Sequence, residues 1–168
     1  MSLAKECYDD QYTNVITYLK EVIKLEFPLN YPERGLIIDS FYKLKYPFFY
    51  IFSDSKRNVI KHKCDKLNID LIKNAKEALF NICNNAICLL DDNSVEKDII
   101  KKSIAHYKCF KAMNYHELAY YTGNNGNDGY KNKALELYKE ATEIANECLN
   151  PAHPVRLYIA WNFSNFYI

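Results

Sequence analysis

The chain has 168 residues, a formal net charge of +1 and a hydrophobic fraction of 49%. That length can bury a sizeable core within one domain, and the balanced charge sets up no field that would gather nucleic acid or an anionic membrane. No apolar run reaches the ~18 residues of a membrane-spanning helix, and the opening MSLAKECYDD lacks the apolar stretch of a signal peptide.

Helical periodicity dominates from the start. Thr13 to Glu26 places Val15, Ile16, Leu19 and Ile23 on one side. PERGLIIDSFYKLKYPFFYIF follows, with Pro32-Glu33 suited to a helix N-terminus. Pro47 predicts a kink or break near Lys45-Tyr46, because proline has no N–H for the helix ladder. Tyr46 to Phe52 alone would pass for a strand, but no second strand is present to pair with it.

Leu67 to Leu90 is the next amphipathic segment, through Ile72, Ala75, Leu79, Ile82, Ala86 and Leu89. Val95 to Tyr121 continues the pattern, and the glycine and asparagine cluster at 123–129 reads as a loop. Lys131 to Leu149 sets Ala134, Leu137, Tyr138, Ala141, Ala145 and Cys148 on one face. Asn150-Pro151 and Pro154 then feed a last helix from Val155, apolar almost all round and ending without a polar cap, so the chain reads as cut there. About six or seven antiparallel helices are expected, an all-α bundle without a sheet.

The six cysteines, Cys7, Cys64, Cys83, Cys88, Cys109 and Cys148, form no Cys-x-x-Cys pair. They read as buried free thiols in a reducing compartment, which makes the cytoplasm the expected location. His62, His106 and His153 lack metal-ligand spacing, and the 123–129 loop lacks the strand and lysine of a phosphate-binding loop. No nucleophile–base–acid set can be assembled. Neither a metal, a cofactor nor an enzymatic activity is expected.

Three stretches together resemble the 14-3-3 family: CYDD at Cys7–Asp10, NICNNAICLL at Asn81–Leu90, and ALELYKEATEIANECLNPAHPVRLYIAWNFSNFYI at Ala134–Ile168. The last is the most specific, with its Pro-x-His-Pro turn, Arg-Leu pair and Asn-Phe-Ser-x-Phe-Tyr in register. The resemblance implies a single all-helical 14-3-3-like domain over residues 1–168, incomplete at both ends. It also implies a concave amphipathic groove that clamps phosphoserine or phosphothreonine segments of client proteins, and dimerisation through the N-terminal helices.

In that family a lysine, two arginines and a tyrosine converge on the phosphate through charge-assisted, bidentate hydrogen bonds. The lysine matches Lys43 in FYKLK, and the first arginine falls at Tyr50, seven residues on. The Arg-Tyr pair before Leu-Ala is replaced by His116 and Glu117. Asn162, which in the family grips the peptide backbone, is retained. Tyr158, Trp161, Asn162 and Asn165 share a stripe that matches the groove face. Cys109 and Met113 complete the implied lining. These departures imply weak phosphopeptide binding. Considered alone, His116 is either a solvated or core-satisfied histidine, or a pH-sensitive substitute cation whose charged form Glu117 favours. Trp161 and Tyr158 either narrow the groove or pack in the core.

The family's dimer joins the Tyr-Asp-Asp end of the first helix to a lysine on the partner chain. Tyr8 and Asp10 remain, while the lysine position falls at Asn74 and a second acidic position at Ala78. Leu71 and its neighbours would supply apolar contact, giving a homodimer or a heterodimer with a related chain. Two other readings stay open. One is a structural or regulatory subunit that silences one groove of a heterodimer. The other is a tetratricopeptide-like scaffold, against which stands the absence of a roughly 34-residue repeat.

Overall fold

The computed structural model describes Asn14, Val15, Thr17, Tyr18, Glu21 and residues 31–61, 66–91, 101–122 and 127–168. Those five early residues are helical, and five longer helices follow: α1 (Tyr31–Lys61), α2 (Lys66–Asp91), α3 (Lys101–Thr122), α4 (Asn127–Cys148) and α5 (Pro154–Asn165). No strand occurs among the described residues. The all-α expectation holds. Met1–Asn85 and Ala86–Ile168 form two compact units.

In the first unit, α1 runs through Pro47 without a break, contrary to the sequence expectation. Proline leaves the Lys43 carbonyl, four residues back, without its usual donor. Burial on both sides of that turn keeps the helix going, because Ile37, Ile38, Phe41 and Lys45 precede Pro47 on the stripe that Phe52 and Ser55 continue. Lys45 is only 5% exposed. Its ammonium lies 5.2 Å from the Tyr42 ring centroid, a cation–π placement that offsets part of the cost of burying charge. On α2, Ala75, Leu79, Ile82 and Cys83 are buried at helical spacing, and the helix matches the expected Leu67–Leu90 to within one residue at each end.

The second unit is an up–down–up set of three helices. Lys108 on α3 pairs with Glu140 on α4 at 2.7 Å, and Lys101 pairs with Glu147 at 3.6 Å. Rising residue numbers thus meet falling ones, which makes α3 and α4 antiparallel. Alanines line this contact: Ala105 and Ala112 on α3, with Ala134, Ala141 and Ala145 on α4, are fully or almost fully buried. Small side chains let the two axes approach closely. Tyr138, 1% exposed, fills the remaining space and stacks on Phe163 of α5, with centroids 5.2 Å apart and planes 10° apart.

The expected 123–129 loop is shorter than its composition suggested, since Asn127 to Gly129 already belong to α4. Asp128 in the first turn puts a carboxylate where the helix dipole favours one. The α4–α5 connection is a chain of local hydrogen bonds. The Asn150 side-chain oxygen accepts from Ala152 N–H at 3.0 Å, and the Asn150 carbonyl accepts from His153 N–H at 2.8 Å. His153 then caps α5, its Nδ1 accepting from Val155 N–H at 3.1 Å, with Pro154 in the first turn. Arg156 reaches back to donate to the Leu149 carbonyl at the end of α4, at 3.0 Å. The Pro-x-His-Pro and Arg-Leu signature is therefore a corner that sets the angle of α5.

Candidate functional site

Within the second unit, α3 and α5 run parallel, and their seam gathers most of the residues expected in a groove. His106 meets Tyr158 edge to face at 5.2 Å. The Tyr158 hydroxyl donates to the Met113 sulfur at 3.3 Å. Farther along both helices, His116 meets Phe166 edge to face at 5.1 Å. Glu117 follows Met113 by one turn on α3, and Asn162 follows Tyr158 by one turn on α5.

Asn162 is half-buried, and its amide nitrogen donates to the Tyr158 carbonyl at 2.8 Å. Only this orientation avoids setting two oxygens against each other, so the carboxamide oxygen is the atom that faces outward. Trp161 is 67% exposed and Asn165 is exposed, which removes the core-packing reading for Trp161. Tyr158 is half-buried and ties the seam together. The seven-residue spacing from His106 to Met113 was the signal that His106 belongs to this face, and sequence reasoning had weighed it only as a metal ligand.

Two expectations need correction: the thiols are not all buried, since Cys88 and Cys148 are exposed, and Cys109 does not line a groove. Cys109 is fully buried among the alanines between α3 and α4, so it supports the seam from beneath and offers no surface to a ligand. Burial pushes its thiol up to about 12, which keeps it protonated and unreactive. Of the two readings of His116, the one as a substitute cation falls, because the ring is not tuned toward the charged form. Burial lowers its pKa below the usual 6.5, Glu117 opposes that, and Lys131 from α4 lowers it further. Desolvation outweighs the adjacent carboxylate because the ring lies against Phe166 rather than in water.

Beneath the seam, the Tyr138 hydroxyl is held far above the ordinary phenol range by burial first, then by Cys109, Tyr158 and Glu117. In the first unit, Lys43 and Tyr50 lie on α1 and both are exposed, Tyr50 at 65%. Leu71 and Ala78 on α2 are half-buried and Asn74 is exposed, whereas Tyr8 and Asp10 lie outside the described residues. No group of three metal-ligating side chains occurs among the described residues, and no described helix is long and apolar enough to cross a membrane.

A family model described as 14-3-3 protein matches residues 2–168. The chain belongs to the 14-3-3 family. It is similar to 14-3-3 protein 3 of Entamoeba histolytica, at 27% identity over 94% of this chain and 68% of that protein. It is also similar to 14-3-3 protein homolog 2 of Echinococcus multilocularis, at 28% identity over 94% of this chain and 65% of that protein. Against 14-3-3 protein eta of Bos taurus the identity is 27%, over 94% of this chain and 68% of that one. The chain thus spans about two thirds of the length of the curated relatives it matches. Membership in the 14-3-3 family supports a non-enzymatic, client-binding adaptor role.

Proposed function

We propose that this 14-3-3 chain is an adaptor that binds extended segments of client proteins, and that it responds only weakly to phosphate on them. The observation that carries this reading is the state of His116 and Glu117. Where the family resemblance implies an arginine and a tyrosine, this chain has a half-buried imidazole favoured neutral and an adjacent carboxylate. Tyr50 stands at the other implied arginine position. Each hydrogen bond from arginine to a charged group contributes about 1.5–3 kcal/mol, so losing two costs about 3–6 kcal/mol, or roughly two to four decades in affinity. Lys43 supplies a flexible point charge rather than a planar fork. Asn162 and the exposed ring of Trp161 leave a surface suited to a peptide backbone and apolar side chains.

The adaptor is a homodimer, or a heterodimer with another 14-3-3 chain, held by apolar contact around Leu71 rather than by a salt bridge at Asn74. It works in the cytoplasm, in keeping with Cys83, Cys88, Cys109 and Cys148 being free thiols. The test is fluorescence-anisotropy titration with a phosphoserine peptide and its unphosphorylated twin. Weak binding with a small phosphate-dependent gain is expected. Micromolar or tighter binding that vanishes on dephosphorylation overturns the reading. Sedimentation that finds only monomer at roughly tens of micromolar removes the dimer.

A further inference from the structure

We infer that the Tyr158 ring closes the cleft between α3 and α5 and so selects client segments with a small residue at that place, a specificity that rests on the client-binding reading above. Both helices pack on α4, side by side, and a cleft between them stays open only where no side chain crosses it. Tyr158 crosses it. From α5 its hydroxyl reaches the Met113 sulfur of α3 at 3.3 Å, and its ring meets His106 of α3 edge to face at 5.2 Å. His106 and Met113 lie on one face of α3, so the ring is held from two places on the opposite wall. Beneath it the core is sealed, with Cys109 and Ala112 of α3 at 0% exposure and Tyr138 of α4 at 1%. Tyr158 and Met113 pack on that buried cluster while remaining half-buried themselves. A ring fixed by a hydrogen bond, an aromatic contact and the packing below cannot turn aside without losing all three. Its outward part is therefore a floor and not a pocket.

Asn162 stands one turn beyond Tyr158 on α5 and donates to its carbonyl at 2.8 Å. A helical turn rises ~5.4 Å and an extended chain advances ~3.3 Å per residue, so a client backbone held at Asn162 lies over Tyr158 about two residues farther on. Glycine, alanine or serine at that point lets the backbone settle onto the ring. Leucine or a larger side chain finds no cavity there, so it gains nothing from apolar burial and lifts the backbone away from Asn162.

The unphosphorylated peptide of the titration above is labelled with fluorescein and made with alanine or leucine at each position in turn. Each version is titrated by anisotropy against the full 168-residue chain, Tyr158→Ala and Tyr158→Phe, with folding checked by circular dichroism. Removing the ring leaves space that its surroundings fill only in part. In Tyr158→Ala, leucine at one position should therefore bind about tenfold tighter than alanine there. At that position the parent and Tyr158→Phe, which keeps the ring, should bind leucine no tighter than alanine. A second arm needs no client: 4-methylphenol, the detached tyrosine side chain, should raise the melting temperature of Tyr158→Ala by refilling the space and leave the parent unchanged. A gain from leucine that is as large in the parent as in Tyr158→Ala overturns the inference. Stabilisation by 4-methylphenol without any leucine gain shows that the ring closes the cleft but that clients do not pass over it, which overturns the specificity. A folded Tyr158→Ala that responds to neither overturns the closure itself. If no peptide binds the parent up to millimolar protein, the client-binding reading fails and the specificity with it, while the 4-methylphenol arm still decides the closure.

Discussion

His116 and Phe166 meet edge to face across α3 and α5, ring centroids 5.1 Å apart and planes 72° apart. This contact decides which protonation state the histidine prefers. An imidazole packed on a phenyl ring has lost much of the water that would stabilise its charge, and Lys131 adds repulsion. Glu117 pulls the other way and is outweighed.

A pH dependence follows. Because the folded-state pKa of His116 lies below its unfolded value, the neutral form stabilises the fold at and above the unfolded pKa of about 6.5. That contribution is lost as pH falls from there through the lower folded-state value, since the unfolded chain takes up the proton more readily. Urea denaturation at pH 7.5 and pH 5.5 should show this chain weakening on acidification more than His116→Gln does. An equal loss in both proteins would mean that the acid sensitivity arises elsewhere.

Tyr138 is the keystone of the second unit, stacked on Phe163 and tilted against Phe166 at 5.7 Å. Tyr138→Ala should cost about 3–5 kcal/mol, the range for removing a large buried aromatic. Tyr120, 56% exposed on α3, is the matched control, and Tyr120→Ala should stay within about 0.5 kcal/mol of the parent. Comparable midpoints for the two variants would contradict the packing described for α4 and α5.

Much of this arrangement was legible in the sequence, because hydrophobic periodicity reports which residues share a helix face. It recovered α2 almost to the residue, and the Asn150–Pro154 corner was signalled by its prolines. The failures all concern neighbours that are distant in sequence. Pro47 marks a break only if nothing holds the flanking turns, and the buried stripe through Phe41, Lys45 and Phe52 holds them. Glu117, adjacent to His116, kept a charged reading open beside the neutral one, whereas Phe166, which lies against the ring, is on another helix. Cys109 shares a helix with Met113, yet its burial depends on the alanines of α4.

Arg156 ties α5 to the end of α4 through the Leu149 carbonyl. Arg156→Ala leaves that carbonyl without its donor at a half-buried corner and should cost about 1–3 kcal/mol. Arg156→Lys should recover part of the loss, since an ammonium can still reach the helix C-terminus but without the guanidinium's fixed geometry. Thermal melts of the three proteins give the order. Identical melting points would show that the corner is held by its backbone hydrogen bonds alone.

Trp161 is the chain's single tryptophan, and it is 67% exposed. Its emission should sit close to that of tryptophan in water and be quenched readily by acrylamide. A client segment lying along α5 would cover the indole, shift the emission to the blue and reduce quenching. Unchanged emission at saturating peptide, with binding confirmed by anisotropy, would place the client away from the Trp161 face.

Restoring the phosphate clamp is the most demanding test of the site. Tyr50→Arg, His116→Arg and Glu117→Tyr together would return two arginines and a tyrosine at the sequence positions where the family resemblance implies them. The replacements differ in what each must overcome. Tyr50 is already 65% exposed, so an arginine there keeps its hydration until ligand arrives. At His116 the new charge must leave the surface of Phe166, so the long arginine stem has to carry it outward. Removing Glu117 deletes the repulsion that a phosphate would otherwise meet. Phosphate-dependent affinity should rise by roughly two to four decades, the equivalent of about 3–6 kcal/mol from two charged contacts. Asn162→Ala added to the triple variant should weaken the phosphorylated and unphosphorylated peptides alike, since its amide would serve the peptide backbone rather than the phosphate. If the triple variant folds but gains no dependence on phosphate, the loss of these three side chains does not account for weak phosphate binding.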